Sequence, residues 1–332
     1  MGLRLTPVKK VLLITLGGTI SSSADGGTTG VVPRSGADEL AAQLAPWLPH
    51  VQVVPHEFRL LPSPSLGLAD LFALLELIRS TEDVSGIVVS QGTDTLEETA
   101  FFLDVLGAGT HRPVVITGAM RDRDTPGADG AANLVAAVHV AASPQARGVL
   151  VVFADRIFAG RTVRKESAVH TDAFTASPWG ALGLVREGQA HLPLSASPAP
   201  TLPVPGLPSD LPAVALISTG VDDDLRLLPG LAGFGYAGVV LEGMGGGHVT
   251  AGAVDAVVAC DLPVALCSRA GTGPTLRHTY GYPGGEIDLL GRGLLWGGHL
   301  TGVKARLLLL LCLMHGWSGE ELRERFETIA GG

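Results

Sequence analysis

The sequence predicts an α/β protein of two domains, a larger one built on a parallel sheet and a smaller one of the same class behind it. Three observations carry that expectation. Short apolar runs rich in Val and Ile alternate with longer stretches whose apolar residues recur three and four apart, the pattern of a parallel sheet covered by helices on both faces. The chain has 332 residues, more than one core usually organises. Seven prolines between positions 193 and 212 then break the alternation, since proline removes backbone donors and cannot sit inside regular structure.

Strands are expected near 11–16, 51–61, 86–90, 113–119 and 148–155, and helices at 36–44, 68–80, 96–106 and 128–142, each helix with one core-facing stripe. The first apolar run follows Lys9 and Lys10 and superficially resembles a signal peptide. It stops too soon, at Gly17 and Gly18, and lacks a small-residue cleavage pattern, so it reads as a buried first strand. Residues 21–30, SSSADGGTTG, carry no side chains that pack and read as a mobile loop. Beyond the prolines the alternation resumes, with strands near 213–218, 238–242 and 263–269 and helices near 251–260, 302–315 and 319–329. The expected division is thus a larger α/β domain over 1–190, a linker over 191–212 and a second α/β domain over 213–332.

Composition excludes several classes of function. Hydrophobic residues make up 46% and charged residues 17%, far from the disordered range. The net charge of −9 comes without any Lys/Arg cluster, so no basic stripe for nucleic acid is present. The apolar run at 307–314 falls short of the roughly 18 residues a membrane span needs and reads as a buried helix. Cys260, Cys267 and Cys312 are odd in number and lack CxxC spacing, which suggests neither a disulfide framework nor a zinc site but buried thiols in a reducing, cytoplasmic compartment. The ten histidines never fall at the close spacings of metal ligands. The run Gly243-Met244-Gly245-Gly246-Gly247 matches neither G-x-G-x-x-G nor the lysine-bearing P-loop, so no nucleotide, metal or other cofactor is expected.

Ligands of open parallel sheets sit past the carboxyl ends of the strands, and three polar points stand there. In Leu16-Gly17-Gly18-Thr19-Ile20, paired glycines let the backbone turn tightly and expose a hydroxyl. Ser90-Gln91-Gly92-Thr93-Asp94-Thr95 lies between a strand and the helix opened by Leu96-Glu97-Glu98, where Thr93 or Asp94 could equally be a simple helix cap. Lys165 lies in the polar stretch 161–171. A threonine hydroxyl is a poor nucleophile near neutral pH without a base, and Asp94 is placed to hold and orient a lysine that serves as one.

Gly17-Gly18-Thr19-Ile20, followed at this distance by Gly92-Thr93-Asp94-Thr95-Leu96-Glu97-Glu98-Thr99-Ala100, resembles the two signature segments of the bacterial-type L-asparaginases. Further matches follow in order: Thr117-Gly118-Ala119-Met120-Arg121, Ala128-Asp129-Gly130 with Asn133-Leu134, Lys165, and Lys304-Ala305-Arg306, so that the resemblance covers nearly the whole chain. It implies a flavodoxin-like larger domain and hydrolysis of L-asparagine to L-aspartate and ammonia. Thr19 would attack the side-chain amide to give an acyl-enzyme, with Thr93, Asp94 and Lys165 as the second catalytic group. Ser63 would hold the substrate's α-carboxylate, Asp94 its α-ammonium, and the Ala119 carbonyl its amide nitrogen, while amides around Gly92 and Thr93 would stabilise the oxyanion. The family completes each site with the second domain of a neighbouring subunit, which implies a homotetramer or at least a dimer and makes Glu286 and His248 candidates for reaching a partner's substrate ammonium.

The chain departs from the family pattern at Leu16, where a threonine is common, and at Ser90-Gln91, where Thr-His is commoner. Both imply altered hydrogen bonding around the nucleophiles. Residues 21–33 contain no tyrosine, whereas many relatives place one there to orient the nucleophile, which leaves Thr28 or Thr29 to supply a hydroxyl. A glutaminase or mixed glutaminase-asparaginase is the alternative within the same chemistry. A non-catalytic amino-acid sensor is the alternative outside it, and it is expected to have lost at least one of Thr19, Thr93, Asp94 and Lys165, all of which are present.

Overall fold

The computed structural model describes residues 8–24, 31–33, 36–194 and 199–331. Its contacts divide the chain into two compact units, residues 1–198 and 199–332.

The first unit holds an eight-stranded sheet of β1 (Lys9–Thr15), β4 (Val51–Glu57), β5 (Gly86–Ser90), β6 (Val114–Thr117), β7 (Val149–Phe153), β8 (Arg156–Ala159), β11 (Gly183–Arg186) and β12 (Gln189–His191). Their spatial order is β12-β11-β8-β7-β6-β5-β1-β4. From β4 to β7 all neighbours are parallel. Strands β1, β5, β6 and β7 bury nearly every residue, which is why they read as continuous apolar runs. Strand β4 is half-exposed and carries Pro55, whose missing N–H is tolerable because β4 is an edge. Two small antiparallel pairs lie outside this sheet, β2 (Ser22–Ala24) with β3 (Val31–Pro33) and β9 (Arg164–Lys165) with β10 (Phe174–Thr175).

Helices α1 (Ala37–Leu44) and α4 (Gly130–Ala141) cover one face and share a core cluster with Val11, Leu13, Val88, Val115 and Leu150. Helices α2 (Leu68–Ser80) and α3 (Leu96–Val105) pack together away from that cluster, with Phe102 edge-on to Phe72 at 5.1 Å. Each fully buried Val, Leu or Ile in these layers contributes about 1.5–3 kcal/mol relative to exposure. The apolar layers, not the polar site, hold the framework.

Two expectations change. The strand expected over 51–61 ends at Glu57, because the amides of Phe58 and Arg59 both turn to the Thr15 carbonyl and that of Leu61 to the Leu16 carbonyl, carrying the chain across the end of β1. The strand expected over 148–155 ends at Phe153, where Ala154 and Asp155 adopt left-handed φ of 48° and 59° and send the chain back as antiparallel β8.

The second unit is a four-stranded parallel sheet, β13 (Ala213–Ser218), β14 (Tyr236–Gly243), β15 (Val264–Ser268) and β16 (Leu295–Trp296), in sequential order. Helices α5 (Val254–Val258), α6 (Glu286–Gly291), α7 (Gly302–Met314) and α8 (Gly319–Gly331) accompany it. Helix α7 packs on the sheet and on α8, so its residues 307–312 are buried all round, which explains the run of leucines. The helix expected over 251–260 is a 3-10 turn, Ala251–Ala253, followed by the short α5. Among the described residues no helix is long and apolar enough to cross a membrane. All three cysteines are free. Burial pushes the Cys312 thiol up to about 12, and burial with the nearby Glu242 charge raises Cys267 as well, so neither is a reactive thiolate.

Candidate active site

The parallel strands of the first unit run β4-β1-β5-β6-β7, so the chain leaves β1 to one side for β4 and then crosses to β5 on the other. Such a reversal opens a crevice past the carboxyl ends of the two central strands. Four segments meet there: 16–20 after β1, 58–65 after β4, 91–95 after β5 and 118–121 after β6.

The first and third touch backbone to backbone. Leu16 donates its amide to the Ser90 carbonyl at 2.8 Å, and Gly18 (φ 86°) then lies so close that a methyl group on it would fall inside the backbone of Gly92. Only glycine fits, and Thr19 emerges directly from this contact to start the 3-10 turn Thr19–Ser21. A Cβ on Gly92 would stand 2.7 Å from Ser63 Oγ, which places the buried Ser63 side chain against that glycine. Thr95 Oγ1 donates to the Ser63 carbonyl at 3.2 Å, tying the second segment to the third.

Lys165, on the short hairpin β9–β10, closes the cluster. Its Nζ donates to Thr93 Oγ1 at 2.9 Å and to Asp94 Oδ1 at 2.6 Å. Its amide donates to Glu97 Oε1 at 3.1 Å, fixing the hairpin to the first turn of α3. The residue at the N-cap of α3 is Thr95, with no side-chain capping bond, so the Thr93 hydroxyl serves the lysine and not the helix. The Lys165 side chain is 16% exposed and that of Asp94 61%, an ion pair worth less than about 1 kcal/mol of stability at such exposure.

Behind Ala119, helix α4 pins the fourth segment. Asp129 accepts the amides of Met120 (3.0 Å) and Arg121 (2.9 Å). Asn133 Nδ2 donates to the Gly118 carbonyl at 3.0 Å while its Oδ1 accepts the Ala154 amide at 3.0 Å. Gln91 is fully buried, and its Nε2 folds back to the Gly92 carbonyl at 3.4 Å. Glu97, Asp129 and Asn133 stand in the sequence matches but carry no reactive group themselves. Their positioning role follows from the bonds they accept and donate, which only the fold reveals. Thr28 and Thr29, the candidates for the missing lid hydroxyl, and most of the loop expected to be mobile, lie outside the described residues.

In the second unit, Glu286 and His248 are brought together, with His248 Nε2 3.0 Å from Glu286 Oε2. Glu286 is enclosed by groups of its own unit. It is 0% exposed, its Oε1 accepts the amides of Thr279 and Tyr280 at 2.7 Å each, and its Oε2 is taken by His248. Burial alone would raise its pKa, but the amides of Tyr280, Thr279 and Glu286 itself, with His248, outweigh burial and hold the carboxyl below its usual range. His248 Nδ1 is 2.9 Å from the hydroxyl of Tyr282, a residue the sequence reading passed over. Its signal was that two of the chain's three tyrosines fall within residues 280–282, shortly before Glu286.

Residues 10–197 match the family model described as Asparaginase, N-terminal, and residues 213–326 the Glutaminase/Asparaginase C-terminal domain. A probable L-asparaginase of Deinococcus radiodurans is 37% identical, over 96% of this chain and 97% of its own length. An L-asparaginase of Bacillus licheniformis is 33% identical over 92% and 95%. The crystal structure of a probable cytoplasmic L-asparaginase from Campylobacter jejuni superposes with a TM-score of 0.82 at 26% identity, covering 96% of this chain and 99% of that one.

Proposed function

The chain belongs to the asparaginase family, and we propose that it hydrolyses L-asparagine to L-aspartate and ammonia through an ester formed on Thr19. The observation that carries this reading is the Lys165–Thr93–Asp94 cluster, set at the same sheet crevice as the Gly18 turn that presents Thr19.

Thr19 Oγ1 attacks the side-chain carbonyl carbon and its proton passes to the leaving nitrogen, so that the C–N bond breaks and ammonia departs. The developing oxyanion is met by the amides of Gly92 and Thr93 at the opening of the 3-10 turn Thr93–Thr95. The resulting β-aspartyl ester is cleaved by a water whose oxygen bonds to the carbonyl carbon as the bond to Thr19 Oγ1 breaks, and the water's proton is relayed by way of Thr93 and Lys165 to Thr19 Oγ1, restoring its hydroxyl, with Asp94 holding the lysine in place. Ser63 receives the substrate α-carboxylate and Ala119 directs its carbonyl to the amide nitrogen. The groups in this scheme are all side chains and amides of the protein, and it calls on no metal or cofactor.

The assembly that goes with this reading is a homotetramer of dimers in which the second unit of one copy completes the site of another. A cytoplasmic location accompanies it, in keeping with three free cysteines. The family model over 213–326 carries glutaminase as well as asparaginase in its description, and one methylene in a small pocket is worth only about 1–3 kcal/mol, so activity on L-glutamine is the second reading.

The test is to quench enzyme and L-asparagine in acid and search the peptide containing Thr19 for an aspartyl ester. Lys165→Met is expected to lower kcat by roughly 10²–10⁴-fold while the ester accumulates. A Lys165→Met enzyme that is equally slow yet never carries the ester would remove the covalent mechanism.

A further inference from the structure

We propose that Gln91 is the positioning residue of the oxyanion site, its buried carboxamide holding the Gly92 carbonyl so that the Thr93 amide is aimed at the oxygen of the reacting carbonyl. The inference rests on the asparaginase reading above, which gives the Gly92 and Thr93 amides to the developing oxyanion. It adds a side chain that acts through the main chain and not on the substrate.

Gln91 is the first residue past β5 and has no exposed surface. Its main chain is fixed from three directions. The amide donates to the Thr117 carbonyl at 3.1 Å. A methyl group built on Gly18 would stand 2.8 Å from the Gln91 carbonyl carbon, and one built on Gly118 would stand 2.5 Å from its carbonyl oxygen. Glycines from the first and fourth segments thus grip the peptide that joins Gln91 to Gly92. The next peptide, Gly92–Thr93, carries an amide of the oxyanion site, and a glycine before it leaves its plane free to rotate. Something has to hold that plane.

The Gln91 side chain supplies the hold, its Nε2 donating to the Gly92 carbonyl at 3.4 Å. The peptide is trans, because the one cis bond among the described residues is Ser177–Pro178, so the Gly92 C=O and the Thr93 N–H point in opposite directions. A carbonyl drawn toward the buried carboxamide therefore turns the Thr93 amide away from it. That amide is the first of the 3-10 turn Thr93–Thr95 and has no partner within the turn. A peptide whose carbonyl already accepts a hydrogen bond is polarised, which makes its N–H the better donor.

Glutamine is a poor choice here for packing alone. Its Oε1 is buried and meets no donor among the described residues, and an unpaired buried acceptor destabilises the fold. Turning the amide over would set Oε1 against the Gly92 carbonyl, two acceptors face to face, so Nε2 is the atom that belongs there. Methionine would fill the same length without the unpaired oxygen. The polar group is explained by what Nε2 holds.

The experiment uses full-length Gln91→Met, which keeps the length of the side chain and removes both polar atoms. The kcat for L-asparagine is expected to fall roughly 10- to 100-fold, short of the about 10²–10³-fold that follows loss of an oxyanion donor itself, with KM changed by less than about threefold. The same oxyanion forms when the ester is made and when it is cleaved, so both steps slow and the ester on Thr19 stays near its wild-type level, in contrast to Lys165→Met. The unfolding midpoint should hold or rise, because the unpaired oxygen is removed as well. Gln91→His, which returns an N–H donor to the position, should regain kcat to within about fivefold of the wild type. An unchanged kcat in Gln91→Met, an ester that accumulates in it, a midpoint that falls in step with kcat, or equal losses of kcat in Gln91→Met and Gln91→His would each overturn the assignment. A wild type that releases no ammonia or never carries the ester removes the reading on which the inference rests, whereas an active wild type indifferent to Gln91→Met removes the inference alone.

Discussion

Glu286 has no exposed surface and takes three hydrogen bonds from its own protomer, two from main-chain amides and one from His248. Its carboxyl is held below the ordinary value of 4.5, so the unfolded chain takes up this proton at a higher pH than the folded one. The stability it contributes is therefore complete above about 4.5 and is lost as the pH falls through the lowered folded value. Glu286→Gln points an amide NH₂ at groups that are already donors, which should cost about 1–3 kcal/mol at neutral pH. Thermal unfolding of both proteins across an acid series tests this, with the gap between them narrowing below about pH 4.5. A gap that widens in acid would contradict the assignment of charge. At this scale Thr19 and Lys165 were legible because glycines and polar residues after apolar runs mark strand ends. Tyr282 was not, since an aromatic residue in a glycine-rich loop gives no sign that it will meet a histidine 34 residues earlier.

Helix α4 serves two purposes, covering the sheet with its alanine and valine face and holding the Ala119 segment with Asp129 and Asn133. Asn133→Ala removes the bonds to the buried Gly118 carbonyl and the part-buried Ala154 amide. The expected cost is about 1–3 kcal/mol, seen as a lowered unfolding midpoint, together with a fall in kcat/KM as the Ala119 carbonyl loosens. A variant with full stability and full activity would show that the segment holds its shape unaided. The parallel strands were visible in the sequence because burial on both faces leaves only Val, Ile and Leu. The antiparallel extension β8, β11 and β12 was hidden, since its strands are short, partly exposed and mixed in character. Helix α6 was hidden by glycines at both ends.

Across the whole molecule, each compact unit spans one of the two matched family segments, and the groups of the first unit to which the proposed scheme gives roles come from four strand ends and a hairpin. The two-domain α/β character and the family were readable from the order of the motifs, whereas which side chains touch depended on crossovers that no local pattern encodes. The scheme makes one demand on the intact protein, that the hydroxyl of Thr19 be indispensable while everything else is present. The direct measurement is ammonia release from L-asparagine and L-glutamine by the wild type and by Thr19→Ala, without added metal or cofactor. The account predicts release from L-asparagine by the wild type and a loss of at least about 10³-fold in Thr19→Ala with an unchanged unfolding midpoint. Ammonia release that persists in Thr19→Ala at a rate near that of the wild type would contradict it.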